Sequence, residues 1–119
     1  MKALFVCFGC LSNTGRLTGI AGLKAIEKIG IDKANIFCLG ALATKGKLVI
    51  DKTKEAEKII VVDGCPLKCA KKIVEDSGFK IDHYINLVEG FGFEKGKPLD
   101  YTEKDIEKVT NEILKILSR

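Results

Sequence analysis

The chain has 119 residues, enough for one domain with a real core and too few for two. At 46% hydrophobic and 30% charged residues it is not disordered by composition. The net charge of +4 is scattered, with Lys71-Lys72 the only basic doublet, so no nucleic-acid partner is expected.

The first apolar run, Ala3 to Phe8, reads as a buried strand. One Lys precedes it, no small-residue cleavage site follows, and it is too short to cross a bilayer. No membrane partner is expected, and the chain is read as cytoplasmic. CLSNTG follows as a loop in which Ser12, Asn13 and Thr14 are all competent helix caps. From about Gly15 to Ile29 the apolar spacing is helical, and Gly30 closes it. Gly19 and Gly22 would let that helix approach a neighbour closely. Ala34 to Leu39 is a second strand with Cys38 near its end, and Gly40 to Gly46 reads as a loop. Between Lys47 and Glu57 the Glu, Lys and Ala content favours a short helix over a strand.

Ile59 to Val62 is a run of four β-branched residues and the best strand in the chain. Asp63-Gly64 breaks it and Pro66 follows, as in the first turn of a helix. That helix is expected from Leu67, with Leu67, Ala70, Ile73 and Val74 on one side and Gly78 as its left-handed cap. Ile81 to Leu87 alternates as a fourth strand, at an edge of the sheet. The segment up to Asp100 is loop. Thr102 and Asp105 form a capping-box variant before a helix with an Ile106, Val109, Ile113, Ile116, Leu117 stripe.

Alternating strands and helices imply an α/β fold: one three-layer α/β/α domain over residues 1–119, with a mainly parallel four-stranded sheet, Rossmann-like. Ligands of such sheets bind at the carboxyl edge of the strands. Strand one delivers Cys7 and Cys10 to that edge, strand two Cys38, and strand three Cys65 and Cys69. Five cysteines in a cytoplasmic chain point to metal or redox chemistry rather than to a disulfide framework. Four thiolates can close a tetrahedral zinc site, or hold an iron–sulfur cluster. Cys is also a common core residue, and Cys7 and Cys38 would serve as such near strand ends. His83, the only histidine, reads as a strand or surface residue. Asp63 reads as a turn-former, or as a carboxylate orienting a ligand from behind.

The string DGCPLKCAKK, Asp63 to Lys72, resembles the central motif of the DGC-domain family. Cys7-Phe8-Gly9 with Ser12-Asn13-Thr14-Gly15 is similar to its N-terminal motif, and Cys38-Leu39-Gly40 to its middle segment. The resemblance runs to about Lys95. That family is described as zinc-binding on the strength of four cysteines, so the resemblance implies Cys7, Cys38, Cys65 and Cys69 as ligands. This chain adds Cys10, so Cys7 and Cys10 both stay candidates. Cofactor contacts are expected from Gly9, Ser12, Gly15, Arg16, Asp63 and Gly64, with Arg16, Lys68 and the helix N-termini receiving anions.

Two alternatives belong to other classes. Cys10-x5-Arg16 after a strand is similar to the phosphate loop of low-molecular-weight tyrosine phosphatases and arsenate reductases. Those families place the nucleophile at the strand end, where this chain has Cys7. Neither Pro66 nor Pro98 follows an acid that would serve as proton donor. The third reading is a non-catalytic zinc module, although a domain of this size needs no metal to fold. The partner, small molecule or protein, stays open.

Overall fold

In the computed structural model, which describes residues 1–119, two aliphatic runs form the centre of a sheet. β1 (Lys2–Val6) pairs in parallel with β3 (Ile59–Asp63), matching Ala3 with Ile59 and Val6 with Val62. β2 (Ala34–Ile36) adds to the free side of β1, and β4 (His83–Asn86) to the free side of β3. The order is β2-β1-β3-β4, and every pairing is parallel. The fourth strand lies at an edge, as its alternating pattern requires.

Because successive side chains of a strand point to opposite faces, the sheet divides its residues between two cores. Leu4, Val6, Ile60, Val62 and Ile85 face α1 (Asn13–Ile29) and α5 (Glu103–Leu117). Ala3, Phe5, Ile59 and Val61 face α2 (Leu39–Ala43), α3 (Lys47–Glu55) and α4 (Cys69–Asp76). The three-layer α/β expectation therefore holds. No helix is long and apolar enough to cross a membrane.

Three local expectations need correction. The stretch expected as a loop, Gly40 to Gly46, is mostly the helix α2. Leu39, Ala41, Leu42 and Ala43 are good helix formers, and burying Leu42 completely favours the turn that Gly40 inside it and Gly46 beyond it disguised. α4 begins at Cys69, not Leu67, because Lys68 adopts a left-handed conformation, φ +56°, that interrupts the chain. Leu67 is consequently not on the buried stripe; it is 59% exposed. β1 and β2 also stop short, at Val6 and Ile36, which places Cys7 and Cys38 in the loops beyond them.

α1, which follows β1, lies on one face, and α4, which follows β3, on the other. Neighbouring strands whose chains leave in opposite directions open a crevice between their loops at the carboxyl edge. In this sheet that crevice falls between the loops after Val6 and Asp63.

Candidate thiol site at the carboxyl edge of the sheet

The crevice is narrow at its floor because three backbone segments touch there. A Cβ on Gly15 would overlap the Gly9 carbonyl, and one on Gly64 would stand 2.6 Å from the Gly15 nitrogen. Only glycine permits this approach, which brings the β3 loop against the start of α1. Ser12 caps that helix, its Oγ accepting from the Gly15 N–H at 3.1 Å.

The two cysteine loops share a feature. Between Cys7 and Cys10, Phe8 has φ +46°; between Cys65 and Cys69, Lys68 has φ +56°. Left-handed backbone at a non-glycine residue costs about 1–2 kcal/mol, so each loop needs support from its surroundings. The Phe8 ring lies on Gly19 of α1, in space that any Cβ would fill, and the Phe8 N–H donates to Thr18 Oγ1 at 3.0 Å. Thr18 Oγ1 also contacts Cys7 Sγ at 3.6 Å. The Cys10 loop is held by Arg16, whose Nε donates to the Cys10 carbonyl at 3.1 Å.

The second loop is held from below. Asp63 is 1% exposed, and its carboxylate accepts from the Ala70 and Lys71 N–H groups at 2.8 and 3.0 Å and from the Tyr84 hydroxyl at 3.0 Å. It thereby caps α4, whose own N-cap, Lys68, offers no side-chain acceptor. Burial, with the neighbouring Asp63 charge adding to it against the relief of an Asn86 hydrogen bond, pushes the Tyr84 phenol well above its usual range. Asn86 donates to the Cys65 carbonyl at 2.9 Å and to Tyr84 at 3.1 Å, while its Oδ1 accepts from Val88 and Glu89. The consecutive residues Asp63, Gly64 and Cys65 thus have three jobs: capping a helix, meeting another helix closely, and presenting a thiol.

The crevice opens into a cavity of about 560 Å³ lined by Cys7, Cys10, Cys65 and Cys69, with Gly9, Ser12, Gly15 and Gly64 in its floor. Leu11 and Leu67 form apolar walls, and Lys95 is the one residue of fixed charge on it. Cys38 stands apart. It precedes α2 and lines a different hollow with Met1, Ile36, Phe37, Leu48 and Val49. Arg16 and Asp63 lie outside the cavity lining, the first committed to the Cys10 carbonyl and the second to α4. Lys68 pairs with Glu89 at 3.4 Å. His83 begins β4, at the opposite edge of the sheet. All five thiols are free, and no three His, Cys, Asp or Glu side chains are gathered closely enough to hold a metal ion.

Sequence reasoning missed Asn13, Asn86 and Lys95. Asn13 is not the cap; it is the first residue of α1, and its side chain holds the loop before α5. Nδ2 donates to the carbonyls of Glu94 and Asp100 at 3.0 and 3.1 Å, and Oδ1 accepts from the Gly96 N–H at 2.6 Å. A polar residue at a strand end, as Asn86 is, gives a local signal. The partners of Asn13 are more than 80 residues away, and nothing local announces them.

Fold and site together define a class: a doubly wound, all-parallel α/β domain with a cysteine-lined crevice between its two central strands. Within that class, the model of the DGC domain matches residues 3–113, and the chain belongs to the DGC domain family. No curated protein and no solved structure matches it.

Proposed function

We propose that this chain is a cytoplasmic metal-binding protein that holds zinc with Cys7, Cys10, Cys65 and Cys69. The observation that carries the reading is the convergence of these four thiols, from two loops, on one cavity at the carboxyl edge of a parallel sheet. An all-sulfur donor set suits a thiophilic ion. Family membership supports a metal role, and Cys10 replaces Cys38 in this set because Cys38 lines a different hollow. The loops must draw together for the sulfurs to share one ion, because no three of them are gathered in this conformation. Zinc would neutralise the charge of the thiolates and tie the two loops together. The residues of the chain do the rest: Arg16 and Asn86 hold the carbonyls of Cys10 and Cys65, and the glycine floor keeps the two loops side by side.

A second reading, an iron–sulfur cluster on the same thiols, is favoured by the cavity volume. About 560 Å³ is far more than one ion fills. Against the phosphatase-like reading, Arg16 is not on the cavity lining and its Nε donates to the Cys10 carbonyl.

Anaerobically purified protein is analysed for metal content and visible absorption, together with each Cys→Ser variant. The zinc reading expects a colourless protein with one zinc per chain, lost or weakened at least tenfold in the Cys7, Cys10, Cys65 and Cys69 variants and retained in Cys38→Ser. A brown protein would transfer the same ligands to a cluster. Metal retained in every variant would sink both.

A further inference from the structure

Thr18, in the second turn of α1, is completely buried, and its hydroxyl oxygen touches three parts of the site. The Phe8 N–H donates to Oγ1 at 3.0 Å, Oγ1 donates to the Gly15 carbonyl at 2.8 Å, and Cys7 Sγ stands 3.6 Å away. A hydroxyl has one proton to give and two lone pairs that receive. Here the proton goes to Gly15, and the lone pairs face the Phe8 N–H and the Cys7 sulfur. The Gly15 carbonyl does not depend on that proton, because it also accepts within the backbone ladder of α1. The hydroxyl can therefore turn its proton to the sulfur without orphaning a buried carbonyl.

The other cavity sulfurs have no such neighbour. Cys10 Sγ meets the Phe8 carbonyl at 3.6 Å, a group that cannot donate. At Cys65 the bonds go to the carbonyl and not to the sulfur, from Asn86 Nδ2 at 2.9 Å and from the Lys68 N–H at 3.2 Å. Cys69 is exposed.

We infer that Thr18 is a positioning residue for Cys7: with the ion bound, its hydroxyl turns from Gly15 and donates to the Cys7 thiolate. The inference rests on the reading of the cavity thiols as the metal site. A metal-bound cysteine carries no proton and can only accept, so the contact between Cys7 and Thr18 persists as a hydrogen bond only with Thr18 as the donor. Groups behind a ligand fix its orientation and tune the metal in this way. The two thiols of the first loop are thus unequal, Cys7 gaining a donor in a buried place and Cys10 having none.

The test titrates the anaerobic chain with cobalt(II), whose sulfur-to-metal charge-transfer band reports how strongly the thiolates donate electrons. The variants are Thr18→Val, which keeps the shape and removes the hydroxyl, Thr18→Ser, which keeps the hydroxyl, and Thr14→Val as control. Thr14 is an equally buried threonine of α1 whose Oγ1 has no partner. In Thr18→Val the band should move to longer wavelength and cobalt affinity should fall about tenfold. Thr18→Ser and Thr14→Val should match the unaltered chain. If Thr18→Val does not fold by circular dichroism, Thr18→Ala is read in its place. Lost affinity with an unmoved band makes Thr18 a packing residue and overturns the inference, as does a band that moves equally in Thr18→Ser. Cobalt held with a thiolate band that is indifferent to Thr18 overturns this inference alone. A chain that binds no cobalt, or binds it without such a band, overturns the metal reading and this inference with it.

Discussion

Single residues at this site act mostly through hydrogen bonds that cannot be replaced by water. Asp63 is the clearest case: a buried carboxylate whose partners are two helix N–H groups and a phenol. Asp63→Ala leaves those donors unpaired, and we expect a loss of about 3 kcal/mol in urea unfolding. An unchanged midpoint would show that water satisfies them. Tyr84 predicts a pH effect. Its folded-state pKa is raised, chiefly by burial, so above about pH 10 the unfolded chain gives up a proton that the folded chain keeps. The stability contributed by the neutral phenol is present below that pH and is lost as pH rises beyond it. Tyr84→Phe should flatten the alkaline fall in stability. Gly19→Ala should push the Phe8 ring off α1, cost about 1–3 kcal/mol as an overpacked site, and weaken zinc binding through Cys7 and Cys10. Retained affinity would mean that Phe8 does not support their loop.

At the scale of elements, the site depends on how loops are tied to helix ends. The segment from Glu94 to Asp100 has no regular structure, yet the three Asn13 side-chain bonds tether it to α1. Asn13→Ala should speed amide hydrogen exchange at Gly96 by at least tenfold while α5 keeps its protection, since α5 has its own capping box at Thr102 and Asp105. Equal acceleration across α5 would show the loop and helix to be one cooperative unit. The sheet edge is managed in a similar local way. At the outer strand β2, the Asn35 side chain accepts from the Ile36 N–H at 2.8 Å, occupying a donor that another strand would use.

For the whole molecule, the arrangement of the two cores decides whether metal is structural. Leu4, Val6, Ile60 and Val62 close one face, and Phe5, Val61 and Val74 the other, and Cys7, packed at the margin of the second, is the one cavity sulfur that touches either. The metal-free chain should therefore stay folded, with unchanged far-ultraviolet circular dichroism after chelation. Zinc would then stabilise the fold only by mass action, by about 2.7 kcal/mol at a hundredfold excess over Kd. Unfolding on chelation would instead make zinc a fold-maker and return the chain to the structural-module reading. Because ligand sulfur must lose its proton, zinc affinity should fall as pH is lowered.

The amino-acid sequence by itself determined the layers. β-branched runs at Ile59, helical apolar spacing in α1 and α5, and the Thr102 cap are local signals with local causes, so α/β alternation was legible along with the edge that would carry the cysteines. The α2 helix was hidden because two glycines outweighed the burial of Leu42, and the start of α4 because Lys68 takes a backbone conformation that its side chain does not announce. Only the tertiary structure decided which sulfurs share a cavity. β2 ends early and Cys38 turns into α2 against Met1 and Leu48, whereas the Gly9, Gly15 and Gly64 contacts press the other two loops together. Such contacts join residues dozens of positions apart, and their energy depends on packing between elements rather than on any preference within one.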